Sequence, residues 1–220
     1  MTRKMKIDFV SDISCPWCVI GLRGLEEALT RVGDLVSADI RFHPFELNPM
    51  MVKEGENAGE HVTRKYGRTP EQSKETREMI RQRAAETGFT INSGPDSRIY
   101  NTFDAHRLLY WAGVEHPDRQ RALKLRLFEV YFTEQRNPSD HDELIAAVDS
   151  VGLDPAQAAE ILASDRYAAN VREAEHLWHG RGIHSVPAVV INDRYLVSGG
   201  QPADAFEQAL RSIASELTEA

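Results

Sequence analysis

Two cysteines, Cys15 and Cys18, lie three positions apart in the segment Cys15-Pro16-Trp17-Cys18, and the chain has no others. Two thiols at this spacing can exchange disulfides, form a structural disulfide, or supply two ligands to a metal. A zinc site needs further ligands, and no second Cys pair or nearby Cys-His cluster completes one. A structural disulfide is unfavourable in a reducing compartment. The spacing therefore favours redox chemistry, with glutathione chemistry, metal binding and a structural role as alternatives.

The two cysteines are expected to differ in role because only Cys15 stands at the start of a predicted helix. Disulfide exchange uses a thiolate as nucleophile, and the unpaired N–H groups at a helix N-terminus stabilise that anion. We therefore predict that Cys15 is the nucleophile. Cys18, one turn later, can reach the same sulfur and is predicted to be the resolving thiol that releases a mixed disulfide.

The two residues between the cysteines are expected to support the site. Pro16 fits the first turn of a helix, where its missing N–H removes no hydrogen bond. Trp17 could offer a flat apolar face to a polypeptide substrate. The alternative for Trp17 is a half-exposed aromatic side chain at a helix start with no special role. Both residues belong to the candidate site on this interpretation.

The elements that position the Cys pair follow from the spacing of apolar residues. Residues 4–10 alternate between polar and apolar and predict a strand that ends just before the pair. From Trp17 to Val32 apolar residues recur every three or four positions, which predicts an amphipathic helix. Alternation over 38–45 predicts a second strand. The pair is therefore expected at a strand-to-helix junction.

The middle of the chain, from residue 50 to about 182, shows helical patterning and almost no strand signal. The predicted helices there are 59–67, 70–88, 102–113, 118–135, 140–151, 155–163 and 166–182. Afterwards, 188–191 and 195–198 predict two strands joined by a turn, and 203–217 predicts a final helix. The predicted fold class is α/β, with a large helical block inserted between the first two strands and the last two.

The composition is that of an ordinary globular protein. Of 220 residues, 41% are hydrophobic, which is enough for a sizeable core. The net charge is −8 and the pI is about 5.5, so no broad basic surface is available for nucleic acid or an anionic membrane. The sequence contains no apolar run typical of a signal peptide or a membrane span. We therefore expect a cytoplasmic location and neither nucleic-acid nor membrane partners.

Four segments carry motifs that together run nearly from end to end. They are Asp12-Ile13-Ser14-Cys15-Pro16-Trp17-Cys18-Val19-Ile20-Gly21, Phe45-Glu46-Leu47-Asn48-Pro49, Asn101-Thr102-Phe103-Asp104-Ala105-His106-Arg107-Leu108, and the segment from Ile183 through Pro187 to Gly199-Gly200-Gln201-Pro202. With these motifs the chain resembles the DsbA-like thioredoxin-domain oxidoreductases, and within them the FrnE-like branch.

This resemblance implies a thioredoxin-like fold interrupted by a large all-helical insertion domain. Residues 1–50 plus 183–220 would form the thioredoxin-like domain, and residues 51–182 the insertion. The implied activity is that of a protein thiol-disulfide oxidoreductase or isomerase, with Cys15 as nucleophile and Cys18 as resolving thiol.

A second implied feature of the site lies far from the Cys pair in sequence. The resemblance implies that Pro187 is a cis-proline facing the pair, and that Val186 offers backbone groups to a bound substrate strand. From the sequence alone the Val186-Pro187 bond would more often be trans, since about 5% of X-Pro bonds are cis.

The expected partners are proteins that carry disulfides or thiols. No cofactor is predicted, glutathione is a candidate reductant, and a homodimer is a candidate assembly. The alternative function comes from a family of similar architecture, the kappa-class glutathione transferases and 2-hydroxychromene-2-carboxylate isomerases. Those enzymes typically carry Ser at the position matching Cys15, so the two cysteines favour redox work. A non-enzymatic binding module is a third alternative.

Overall fold

A computed structural model describes residues 2–219, and side chains as far as residue 217. The strands are β1 (Arg3–Ser11), β2 (Val36–Pro44), β3 (Glu56–Asn57), β4 (Arg98–Ile99), β5 (Ala188–Ile191) and β6 (Tyr195–Ser198). The helices are α1 (Pro16–Arg31), α2 (Ala58–Tyr66), α3 (Pro70–Glu86), α4 (Phe103–Glu115), α5 (Pro117–Phe128), α6 (His141–Ser150), α7 (Pro155–Leu162), α8 (Ala168–Gly180) and α9 (Ala203–Glu219). The predicted framework of strands flanking a helical block is confirmed.

Four strands form a mixed sheet in the order β2-β1-β5-β6. Strands β1 and β2 are parallel, whereas β1 and β5, and β5 and β6, are antiparallel. Phe9 of the inner strand β1 pairs with Phe42 and with Val189, and all three side chains are buried. Every residue of β1 from Ile7 to Ser11 is buried, as expected for an inner strand that is covered on both faces. Its C-terminal end therefore lies inside the protein, directly before the Cys pair.

Helix α1 packs against α9 and buries one apolar face, which includes Leu22, Leu25 and Ala28. The approach is close at Gly24, where a Cβ would stand 2.6 Å from the carbonyl oxygen of Gln201. Real Cβ atoms do not come that near to a backbone oxygen, so this position requires glycine. The contact brings the loop before α9 against the first turns of α1.

The helical block contacts the outer edge of the sheet at β2. The Gln120 amide on α5 pairs with the backbone of Phe42, accepting from its N–H at 3.2 Å and donating to its carbonyl at 3.1 Å. It also donates to the Leu109 carbonyl on α4 at 3.1 Å. One buried side chain thus satisfies backbone groups of an edge strand that would otherwise lack partners. It holds α4 and α5 against the sheet.

Two local features differ from the sequence-based expectation. A two-residue antiparallel pairing of β3 with β4 lies within the segment predicted to have almost no strands, since two residues are too few to show a period. The single helix predicted over 118–135 ends at Phe128 and continues as a π-helical turn, Glu129–Thr133. That turn is closed by a hydrogen bond from the Glu134 N–H to the Glu129 carbonyl at 2.9 Å, a spacing that apolar periodicity does not reveal.

The division into residues 1–50 plus 183–220 and residues 51–182 stays a prediction. Buried side chains of the sheet, α1, α4, α5 and α9 belong to one continuous hydrophobic cluster. Within residues 2–219, none of the helices has the length and apolar character needed to cross a membrane.

Candidate active site

Cys15 is the N-cap residue of α1. Its backbone is extended, with φ −94° and ψ 111°, and its side chain makes no capping hydrogen bond. Pro16 follows in the first turn, and this turn carries no acidic residue. The Cys15 sulfur is therefore free to react at the positive end of the helix dipole, where an anion is stabilised.

The second thiol, Cys18, is completely buried, whereas Cys15 is 4% exposed. Both cysteines are free thiols, and their side chains are hydrogen-bonded to each other. Burial, together with the hydrogen bond and charge of Cys15, raises the pKa of the Cys18 thiol well above its usual value. The positive charge of Lys124 and a backbone hydrogen bond from Asp12 act in the opposite direction. Cys18 is accordingly a protonated thiol at neutral pH.

The predicted support residues Val186 and Pro187 lie against this pair. The peptide bond between them is cis, as the resemblance implies. The Cys15 Sγ donates to the Val186 carbonyl oxygen at 3.6 Å. The proline ring lies against α1, because a Cβ on Gly21 would be 3.1 Å from Pro187 Cγ. Residues 171 positions apart in sequence therefore form one site.

Trp17, the other predicted support residue, is half-buried, and the loop before α9 packs on it. A Cβ on Gly200 would stand 2.7 Å from the Trp17 carbonyl oxygen and 3.1 Å from its indole ring. The loop reaches the Cys segment only because Gly200 has no side chain. Backbone packing thus holds Trp17 and the two cysteines in place.

Asp12, which the sequence analysis assigns no role, is fully buried beneath the Cys segment. Its Oδ1 accepts from Thr102 Oγ1 at 2.8 Å and from the Ser14 N–H at 3.1 Å. Its Oδ2 accepts from the Leu47 N–H at 2.7 Å and from Ser14 Oγ at 2.9 Å. His106 Nε2 lies 3.5 Å from Oδ1. One carboxylate therefore joins the ends of β1 and β2 to the start of α4.

The charge of Asp12 is maintained despite its burial. Burial alone would raise the pKa of the carboxyl group, but contact with His106 and the N–H groups of Leu47 and Ser14 outweighs it. The net effect lowers the pKa. Asp12 is thus an anion whose lone pairs are already occupied, which makes it a poor proton acceptor.

A buried cation completes the polar groups of the site. Lys124 of α5 is 1% exposed, and its ammonium nitrogen lies 4.9 Å from the ring centroid of Phe128. Burial lowers the pKa of Lys124 to about 8, although the charges of Cys18, Asp12 and Cys15 act to raise it. The sequence does contain a signal for this residue. Lys124 stands among the buried positions of α5 with Leu123 and Phe128, where a lysine has no structural reason to be.

Tyr66, at the end of α2, is another residue that the sequence analysis does not identify. Burial and the negative charge of Cys15 raise the pKa of its phenol, so the hydroxyl lies within the electrostatic reach of the nucleophile. Helix α2 is held in place by Lys65, whose Nζ donates to the Leu47 carbonyl and to Asn48 Oδ1, each at 2.8 Å. The helical block thus contributes a group that interacts electrostatically with Cys15.

Together these features define a class of protein. The protein has a mixed four-stranded sheet, two thiols at a helix N-terminus and a cis-proline that faces them. Helices are inserted after the second strand. These are the features of a thioredoxin-like fold of the DsbA type. The model of the DSBA-like thioredoxin domain family matches residues 6–211. The chain belongs to that family, which confirms the resemblance and the fold class. Membership of the FrnE-like branch stays a prediction.

Known proteins agree with this assignment. The chain is 32% identical to a "probable DsbA oxidoreductase" from Streptomyces coelicolor, whose crystal structure superposes with a TM-score of 0.86 over 94% of this chain and 89% of that one. It is 26% identical to the uncharacterized protein YwbO of Bacillus subtilis, over 96% of each chain. The cytosolic disulfide reductase DsbM of Pseudomonas aeruginosa, solved with GSH, has a TM-score of 0.64 at 16% identity, over 94% of this chain and 98% of that one. At that identity the likeness concerns the fold alone.

Proposed function

We propose that this protein is a thiol-disulfide oxidoreductase that acts on protein substrates through Cys15 and Cys18. One observation carries the proposal. Two free thiols contact each other at the N-terminus of α1, and the outer one touches the Val186 carbonyl. Membership of the DsbA-like family supports thiol-disulfide chemistry at this position.

The reaction begins at Cys15, the outer cysteine. Its thiolate attacks one sulfur of a substrate disulfide, a mixed disulfide forms, and the second substrate sulfur leaves as a thiolate. Cys18 then attacks the Cys15 sulfur and displaces the remaining substrate thiol. The substrate disulfide gains two electrons and the cysteine pair loses two. The reverse sequence oxidises a substrate dithiol.

The difference in burial supports this order of attack. Cys15 is 4% exposed and Cys18 is completely buried, so a substrate sulfur meets Cys15 first. Val186, next to Cys15, is half-buried and has a backbone carbonyl directed at the sulfur. An extended substrate segment could pair with the backbone there, as polypeptides do when they add to a strand.

Exposed apolar side chains support a polypeptide substrate. Tyr66, which interacts electrostatically with Cys15, is 56% exposed. Met50 and Val52 are 91% and 55% exposed in the loop that follows β2. Asn48, at the start of this loop, binds Lys65 of α2. The loop and α2 therefore form one surface with apolar contacts available, of the kind that recognises unfolded chains.

A cytoplasmic location, which we also propose, favours reduction or isomerisation over net oxidation. A pair with a potential of about −120 mV would be held reduced by roughly 4.6 kcal/mol in a glutathione pool near −220 mV. Glutathione is the proposed reductant, and the GSH-bound structure of DsbM supports this choice within the same fold. We propose no resident cofactor. A homodimer stays a prediction.

The test is a redox titration of the purified protein in graded glutathione buffers, with free thiols counted by alkylation and mass. A reversible two-electron transition between Cys15 and Cys18 is expected. Absence of an internal disulfide across the series, with a stable glutathione adduct instead, would contradict the proposal and favour a glutathione-dependent transferase or isomerase.

The same serine substitution at the two positions provides a matched pair of variants. Cys15→Ser should abolish turnover of a disulfide-bonded protein substrate. Cys18→Ser should accumulate a mixed disulfide with that substrate, visible as a covalent complex on a non-reducing gel. Full exchange activity in Cys15→Ser would show that Cys15 is not the nucleophile.

A further inference from the structure

The resolving step presents an electrostatic difficulty. Cys18 must attack as a thiolate, yet its sulfur is completely buried and contacts that of Cys15. Removing water disfavours the charged form of a thiol. In this step the Cys15 sulfur is bonded to the substrate and carries no charge, so burial is the main obstacle to a Cys18 thiolate. A buried thiolate therefore needs a positive charge inside the protein.

The charged and titratable groups around Cys18 come from three elements. The N-terminus of α1 contributes Cys15, the end of β1 contributes Asp12, and α5 contributes Lys124. Asp12 in turn interacts with three further groups, namely His106 of α4, Tyr131 of the π-helical turn and Glu175 of α8. Asp12 is an anion and disfavours a second negative charge nearby. Cys18 belongs to the same buried cluster as Leu123, Leu127 and Phe128 of α5, the residues around Lys124. Of the charged groups named, Lys124 is the cation that acts on Cys18.

Packing does not account for Lys124. Its side chain is 1% exposed among buried apolar residues of α5, including Leu123 and Leu127. Among the residues whose side chains are described, it forms no ion pair or hydrogen bond with a carboxylate; its close partner is the face of the Phe128 ring. An ammonium that is buried without a carboxylate partner is unfavourable for folding. A residue that opposes stability in this way points to a functional role.

We propose that Lys124 is a positioning residue for disulfide exchange, whose buried ammonium stabilises the Cys18 thiolate during its attack on the Cys15 mixed disulfide. This inference rests on the proposed function. The bond between Cys15 and the substrate sulfur breaks, and the Cys15–Cys18 disulfide forms. The proton of Cys18 ends on the departing substrate thiolate, which becomes a thiol. Lys124 keeps its own proton throughout.

Because Lys124 belongs to α5, the helical block takes part in the resolving step. Helix α5 packs on the edge of the sheet through Gln120, four residues before Lys124. The charge that supports Cys18 therefore depends on the docking of the block onto β2.

The experiment separates the two chemical steps in the full-length protein. The reduced enzyme is mixed with the aromatic disulfide 5,5′-dithiobis(2-nitrobenzoate) in a stopped-flow instrument, and release of the coloured thiol is followed over a series of pH values. The first release reports attack by Cys15, and the second reports resolution by Cys18. In Lys124→Met the second release should slow by about ten-fold or more at neutral pH, which corresponds to at least one pKa unit at Cys18. Its pH profile should move to higher pH. The first release should slow less than the second, because Lys124 interacts more weakly with Cys15 than with Cys18.

Three further variants provide controls. Lys74→Met makes the same change at an exposed position of α3 and should leave both phases as in the wild type. Lys124→Arg keeps the charge and should restore much of the second phase. Lys124→Gln removes the charge but keeps a polar side chain, so it repeats the test if Met disturbs the packing.

The outcomes separate this inference from the proposed function. Equal second phases in wild type and Lys124→Met at every pH would overturn the role of Lys124, as would equal slowing of both phases. If the wild type released no second thiol and formed no internal disulfide, the proposed function itself would fail.

Discussion

Replacing Lys124 with methionine should stabilise the folded protein near neutral pH, although it slows the resolving step. The pKa of Lys124 falls from 10.5 to about 8 on folding. A difference of about 2.5 units corresponds to about 3.4 kcal/mol, at about 1.36 kcal/mol per unit. Folding carries this penalty whenever the buried amine is protonated. Methionine has a similar length and no charge, so we expect a gain of about 2–4 kcal/mol in the free energy of unfolding.

The pH dependence of the gain follows from the direction of the pKa shift. Because the folded pKa lies below the unfolded one, the penalty is absent above about pH 10.5 and complete below about pH 8. The difference in stability between Lys124→Met and its parent should therefore shrink as the pH rises through this window. The raised pKa of Cys18 has the opposite effect, since its stabilisation is lost as the pH rises above the unfolded value of about 8.5. Both proteins should accordingly carry Cys18→Ser.

Urea unfolding under reducing conditions, repeated between about pH 7 and pH 10, measures this difference. Lys74→Met should lie within about 0.5 kcal/mol of its parent across the series, as expected for an exposed position. A Lys124→Met protein that is less stable than its parent, or whose advantage does not vary with pH, would refute the reasoning. Either result would mean that the ammonium is better stabilised than its surroundings imply.

Two further predictions concern the residues that hold the Cys segment. Asp12→Asn should lower the free energy of unfolding by about 2–4 kcal/mol. In either orientation of the amide, its NH₂ group faces the backbone N–H of Ser14 or of Leu47, two donors with no acceptor between them. A loss below about 0.5 kcal/mol in urea unfolding would contradict this. Gly200→Ala should destabilise by about 1–3 kcal/mol and slow the first thiol release, since its Cβ would stand 2.7 Å from the Trp17 carbonyl oxygen. Gly180→Ala, at the end of α8 with no atom near its Cβ, is the control and should neither destabilise the protein nor slow the release.

The sequence by itself determined the local elements around the Cys pair. Its periodicity predicts β1 and α1 to within one residue at each end, and the hairpin 188–191 with 195–198 without error. These elements can be read locally because alternation and three-to-four spacing record which face of each element is buried. The position of Cys15 at a helix start follows from the same local information, as does the first-turn position of Pro16.

The surroundings of the two thiols were decided only by the tertiary structure. The Cys15 sulfur meets the Val186 carbonyl across 171 positions, and Asp12 binds Thr102 across 90. Lys124 shows as an exception within an apolar stripe, but nothing near it in sequence indicates that Cys18 is its neighbour. Periodicity indicates that a side chain is buried, but it does not indicate which residues that side chain packs against. That choice depends on how α4 and α5 pack on β2, which is a property of the whole fold.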